Sequence, residues 1–209
     1  ELGRRSEALA PAQEAVELYR ALARQNPDAF QPDLASALNN LAALLSKLGR
    51  RSEALAPAQE AVELYRALAR QNPDAFQPYL AGALNNLANR LSELGRRSEA
   101  LAPAQEAVEL YRALARQNPD AFQPYLARAL VAVGQALEGN DRGREALVSF
   151  AEAVRILTPH FQALPDAHLA VMGWLAKEYE RLARALNQTP EAGLLEPVVE
   201  IIQRLNGHV

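Results

Sequence analysis

The sequence predicts an all-α fold, a solenoid of stacked helix–helix hairpins with about nine helices. Three observations predict it. Of 209 residues, 42 are Ala, while Val, Ile and Thr together supply only 16. Ala is the strongest helix former and strands need β-branched residues, so this balance excludes a sheet protein. The segment LGRRSEALAPAQEAVELYRALARQNPDAFQP starts at Leu2, Leu48 and Leu94, a period of 46 residues. Within each unit the apolar residues recur at alternating steps of four and three, the period of one helix face.

Residues 1–46 and 47–92 agree at 41 of 46 positions, and 47–92 and 93–138 at 37 of 46. Such near-identity marks recent duplication or consensus design. A divergent fourth copy follows without a gap: Glu7-Ala8-Leu9 becomes Glu145-Ala146-Leu147, and Pro27-Asp28-Ala29 becomes Pro165-Asp166-Ala167. The expected organisation is three near-identical repeats over 1–138, the first lacking its helix A, then a divergent repeat and a capping helix over 139–209.

Helix A is expected from about Pro32 to Leu48. Leu34, Leu38, Leu41, Leu45 and Leu48 form its buried face. Pro32 suits a first turn, where its missing N–H has no partner to lose, and Gly49 suits a left-handed C-terminal cap. Helix B is expected from about Glu53 to Gln71, with Ser52 as N-cap. Its inward face runs Ala54, Ala58, Ala61, Tyr65, Leu68. Pro57 should bend this helix without breaking it. Asn72-Pro73 should end it, because Pro disfavours the helical conformation in the residue before it. The Arg50-Arg51 link makes A and B antiparallel, and one hairpin needs neighbours to bury both stripes.

At the start, the first copy has helix B alone, so the chain is expected to be a piece of a longer array. The face carrying Ala8, Ala12, Ala15, Tyr19 and Leu22 is then apolar and unpaired, a candidate for self-association. At the end, Thr189-Pro190-Glu191 should start a last helix, with Thr189 as N-cap. Leu194, Leu195, Val198, Val199, Ile201, Ile202 and Leu205 give it an apolar surface, and Asn206-Gly207 should stop it.

These residues resemble the tetratricopeptide repeat. Gly49 falls on the turn glycine, Ala54 and Ala61 on the two small helix-B positions, and Leu38, Leu41, Ala42 and Leu45 on the helix-A packing positions. ALNNLA at 37–42 and 83–88, followed by LG, EAL and EAVELY, is most similar to the kinesin-light-chain-type variant. The unit is longer than the family's usual length of about 34 residues, and Ala58 replaces the family's mid-helix-B aromatic. The extra length is expected in helix B and in the NPDAFQP link.

The resemblance implies a right-handed superhelix and a protein-interaction scaffold, with ligands against the concave helix-A wall. The residues just off the packing stripe there are Ser36, Asn39, Asn40 and Ala43, then Gly82, Asn85, Asn86 and Asn89. Arg128, Val131, Ala132 and Gln135 follow, then Trp174, Lys177, Glu178 and Arg181. Helix A also carries most differences between copies, while helix B is constant. Paired Asn residues are poor helix formers, and an Asn amide both donates to and accepts from a peptide backbone. The alternative is that Asn39 or Asn40 bonds only to a neighbouring helix or to water. Trp174 is either a groove anchor or, the favoured reading, a core residue.

Chemistry-bearing signals are few. Cys is absent, which removes disulfides and thiolate sites. None of His160, His168 and His208 has a metal-ligand spacing, and His168 takes the position of Phe30, a packing position. His160 should be a solvated residue at a helix end. No phosphate loop or nucleophile elbow occurs, so no enzyme and no cofactor is expected. Arg50-Arg51 and the copies Arg4-Arg5 and Arg96-Arg97, with Glu53, Glu60 and Glu63, should form a salt-bridged edge. The net charge of −3 and pI near 5.7 disfavour nucleic acid and anionic membranes as partners. No apolar run reaches 18 residues, so no membrane span is expected; the location expected is cytoplasmic. The function expected is binding of a peptide or protein segment in the groove. The alternative is a self-associating spacer or sensor arm of a larger, bacterial-type signalling protein.

Overall fold

The computed structural model describes residues 7–206. Among these it contains nine bounded helices and no strand: α1 Leu9–Gln25, α2 Pro27–Lys47, α3 Arg51–Gln71, α4 Pro73–Glu93, α5 Arg97–Gln117, α6 Pro119–Glu138, α7 Gly143–Ala163, α8 Pro165–Ala185 and α9 Ala192–Asn206. The even-numbered helices are the predicted helices A and the odd-numbered ones helices B. Arg4, Arg5 and His208 lie outside the described residues, as does Gly207.

Helix A is longer than predicted. It begins at Pro27, not Pro32, because the NPD segment starts this helix as well as ending the one before. The Asn26 side chain accepts from Ala29 N–H at 3.4 Å, Asn72 from Ala75 N–H at 3.2 Å, and Asn118 from Ala121 N–H at 3.3 Å. Pro follows at N1, where its fixed φ fits and no hydrogen bond is lost, and Asp adds favourable charge to the first turn. The NPDAFQP link therefore lies almost wholly inside helix A, with Pro32 within it, and helices A and B are both 21 residues long.

Helix B begins at Arg51, so Ser52 is in its first turn and Arg50 is the N-cap residue, without a side-chain cap bond. Arg50 instead donates from Nε to Glu53 Oε1 at 2.7 Å. That hydrogen bond is the main reason the Glu53 carboxyl is held below its ordinary pKa; Arg96 with Glu99 and Arg142 with Glu145 repeat it. Helix α3 runs unbroken through Pro57.

The A-to-B turn needs one left-handed residue. Gly49 supplies it with φ 77° and Gly95 with φ 75°. Arg50 N–H then reaches back to Leu45 O at 2.9 Å, closing the helix end. In the later copies the same position is Asp141 at φ 60° and Asn187 at φ 55°. Asp and Asn tolerate this conformation better than other side chains do.

The chain forms two compact units, residues 1–110 and 111–209, whose boundary falls within α5. In the first unit α1 packs on α2, α2 on α3, and α3 on α4, with α2 also touching α4. Leu34, Leu38, Leu41, Leu45, Ala54 and Ala61 form part of its core. In the second unit α6 packs on α7 and α7 on α8, while α9 rests on both α7 and α8. Val198 and Leu194 of α9 are buried there, and Val199 is exposed. Helix α9 begins at Ala192, after the predicted Thr189 cap. Glu191 N–H donates to the Tyr179 hydroxyl at 3.2 Å, which ties the incoming chain to α8.

Helix α1 differs from its copies. Ala54, Ala58, Ala61, Tyr65 and Leu68 of α3 are buried, whereas Leu22 of α1 and Ala8 just before it are exposed and Ala12, Ala15 and Tyr19 are half-buried. Ala12 and Tyr19 pack against the core beside Leu38 and Leu41, so the predicted unpaired face is only partly open.

Candidate functional site

The helix-A wall is built by α2 and α4 in the first unit and by α6 and α8 in the second. In the first unit the paired asparagines separate into distinct roles. Asn86 Nδ2 donates to Asn39 Oδ1 at 3.0 Å, a rung between consecutive helices A. Asn85 is only 8% exposed, and its Oδ1 is buried without a hydrogen-bond partner. An unsatisfied buried acceptor costs about 1–3 kcal/mol. Asn40 and Ser36 are exposed, and Ala43, Gly82 and Asn89 are half-buried. Ser36 hydrogen-bonds the Tyr65 hydroxyl, whose pKa is nevertheless raised because burial dominates.

One end of this wall is ionic. Arg90 donates to Glu93 at 2.8 Å, and Ser46 Oγ donates to the other Glu93 oxygen at 2.7 Å. Arg90 Nε is buried without a partner, and burial lowers the guanidinium pKa.

In the second unit Arg128 and Gln135 are exposed, Val131 is half-buried and Ala132 is buried. On α8, Lys177 is exposed, while Arg181 donates to Glu138 at 2.7 Å and to Glu178 at 2.9 Å. Arg181 is therefore engaged in two ion pairs while remaining half-exposed. Trp174 does not belong to the core: it is 39% exposed, and its ring meets the buried Phe150 edge-on at 6.4 Å.

The sequence reading missed Tyr79 and Tyr125. Both are exposed, and they stack on the buried Tyr65 and Tyr111 at 5.7 Å in each case. They stand one turn before the predicted wall positions, at the second residue of each predicted helix A, just ahead of the apolar stripe that starts at Leu80 and Leu126.

Helix B carries a second unpredicted series. Arg20 donates to Glu60 at 2.7 Å, Arg66 to Glu106 at 2.6 Å and Arg112 to Glu152 at 2.8 Å. These half-buried pairs join consecutive helices B. The predicted charged edge thus divides: Glu53 serves its own helix start, Glu60 bridges repeats, and Glu63 is exposed.

His160 is not a freely solvated side chain. It is half-buried, and Gln123 Oε1, which can only accept, takes a hydrogen bond from its Nε2–H at 2.9 Å. Its ring meets His168 edge-on at 6.3 Å. Among the described residues no group of three or more His, Asp or Glu side chains is placed to hold a metal ion, and no helix is long and apolar enough to cross a membrane.

Helical hairpins repeated in register, with small residues at the crossings and a left-handed turn residue in each, define a hairpin-repeat protein. Residues 34–74 and 80–120 match the tetratricopeptide repeat model. These two segments are similar to tetratricopeptide repeats. A search of curated proteins finds no match. Among solved structures it is similar to BtubC (BKLC) from P. vanneervenii, a kinesin light chain-like tetratricopeptide protein, at TM-score 0.66 and 21% identity over 98% of this chain and 74% of that one. It is also similar to the MamA RS-1 ArsTM double mutant, at TM-score 0.55 and 16% identity over 97% of this chain and 93% of that one. At these identities the likeness is one of fold.

Proposed function

We propose that the chain is a non-enzymatic scaffold that binds a peptide or protein segment along its helix-A wall. The observation that carries this is the Asn39–Asn86 amide rung, half-buried on that wall, whose remaining Asn86 oxygen and Asn39 N–H groups match a peptide backbone. Asn40, exposed on the same wall, and the exposed Tyr79 ring add polar and aromatic contact surface. The two segments that match the tetratricopeptide repeat support a protein-interaction role in general.

The test is a capture of partners with the chain, followed by calorimetric titration of the captured segment. Asn40→Ala with Asn86→Ala should weaken binding at least tenfold, since two hydrogen bonds to the segment are lost, and should lower stability by about 1 kcal/mol through loss of the Asn39–Asn86 rung. Equal affinity for the double variant refutes the asparagine contribution.

One observation favours a second reading, self-association through α1. Leu18 is 59% exposed, whereas its copy Leu64 is half-buried. A sedimentation coefficient that rises with concentration, and that Leu18→Glu holds at the monomer value, supports it. A constant monomer excludes it.

A further inference from the structure

The second unit contains a cleft of about 420 Å³ between α6, α7 and α8, lined by Pro124, Tyr125, Arg128, Leu157, His168 and Val171. Its origin is legible in the repeat register. The stacked rings Tyr65–Tyr79 and Tyr111–Tyr125 occupy equivalent positions in the two preceding repeats. In the last repeat both become aliphatic, Leu157 and Val171. Two aliphatic side chains fill less space than two stacked phenol rings, and the shortfall is open.

The cleft differs from a void left by drift, because its rim is specialised. His168 stands where the earlier copies have Phe30, Phe76 and Phe122. Its ring is set by His160, which Gln123 in turn holds through Nε2–H at 2.9 Å. Arg128 occupies the position of Ser36 and Gly82. It is exposed and has no ion pair among the described residues. No carboxylate lines the cleft. An unpaired guanidinium and an oriented imidazole beside an aliphatic floor complement an anion with a compact apolar body, and the volume lies in the range of small-molecule sites.

The geometry points to a ligand site for a small amphipathic carboxylate in this cleft, the carboxylate on Arg128 and His168 and the hydrocarbon between Leu157 and Val171. It stands apart from the helix-A asparagines and does not depend on their role. A free acid and the C-terminus of a peptide share this chemistry, and the probes separate them. Hexanoate models the free acid, N-acetyl-leucine the peptide terminus, and hexanamide has the apolar body without the charge.

The full chain, ¹⁵N-labelled, is titrated with each probe while the His168 and His160 imidazole signals are followed. A saturable shift of His168 with hexanoate or N-acetyl-leucine, and none with hexanamide, is the expected result, and the stronger of the two identifies the source. Arg128→Gln should weaken the carboxylate probe about tenfold, the loss of one charge-assisted hydrogen bond. Arg128 is exposed, so this variant stays folded, which the unchanged His160 signal reports. Asn40→Ala with Asn86→Ala should leave the titration unaltered. Equal shifts with hexanamide, an unchanged affinity in Arg128→Gln, or no saturable shift with either carboxylate would overturn the assignment.

Discussion

Replacing Gly134 by Ala should destabilise the chain, although Ala is the better helix former and stands at the same repeat position in the two preceding copies. A Cβ at Gly134 would lie 2.6 Å from Phe150 Cε1 and 2.9 Å from Cδ1 and Cζ. Carbon atoms rest at about 3.5–4.0 Å, so the ring must move by about 1 Å. It has little room: Phe150 is 1% exposed, and Trp174 leans on it at 6.4 Å. Overpacking of this kind costs about 1–3 kcal/mol, and the helix propensity gained returns about 1 kcal/mol, leaving a net loss of up to about 2 kcal/mol. Phe150→Ala should cost about 3–5 kcal/mol, as a large buried aromatic is lost.

The register explains the pair. Phe150 takes the position of Ala58 and Ala104, and Gly134 that of Ala42 and Ala88. Where the small helix-B residue became a ring, the facing Ala lost its methyl. The double variant restores the older combination and should be no less stable than Phe150→Ala alone. Equilibrium urea unfolding of the four proteins measures the coupling, expected at about 2 kcal/mol. Costs that add to within about 0.5 kcal/mol, or a Gly134→Ala chain more stable than the parent, would refute this reasoning.

Three further outcomes follow from the same structure. Asn72→Ala removes the side-chain acceptor for Ala75 N–H and should cost about 1 kcal/mol, a fall of about 2–4 °C in Tm by calorimetry, with Asn72→Gly nearly neutral. Burial pushes the Tyr111 hydroxyl up to about 12. A raised folded-state value favours the folded chain fully below the unfolded value near 10, and that contribution is lost as pH climbs from about 10 through 12. The loss is about 2–3 kcal/mol in alkaline unfolding, and Tyr111→Phe should abolish that part of the pH dependence. Arg66→Ala breaks the ion pair to Glu106; both groups are partly exposed, so thermal denaturation should show a loss of at most about 1 kcal/mol.

Much of the fold was legible because helix packing writes its period into the sequence. The Leu34-to-Leu48 spacing marked helix A, and the small Ala54, Ala58 and Ala61 marked the crossing in helix B. Gly49 marked a turn whose left-handed residue persists as Asp141 and Asn187 after glycine is lost. The start of helix A was misplaced because Asn-Pro-Asp carries two signals at once, a stop for one helix and a cap for the next. Tyr79 and Tyr125 were missed for another reason: they precede the apolar stripe, which was counted from Leu34 and its copies Leu80 and Leu126. The Arg20–Glu60 type of pair spans 40 residues, and nothing local announces a partner so distant. Trp174 was assigned inward on hydrophobicity alone, but one face of a large ring can be buried on Phe150 while the other meets solvent. The individual fates of Asn39, Asn85 and Asn86 depend on how consecutive helices A face each other, which composition does not encode.

The central claim, that a partner segment lies along the helix-A wall, is tested most directly by placing a photo-crosslinking residue at exposed position 40 on α2 or at exposed position 63 on α3 and irradiating each with a captured partner. Crosslinking from position 40 and none from position 63 is the result this account requires; capture through position 63 with position 40 silent would contradict it.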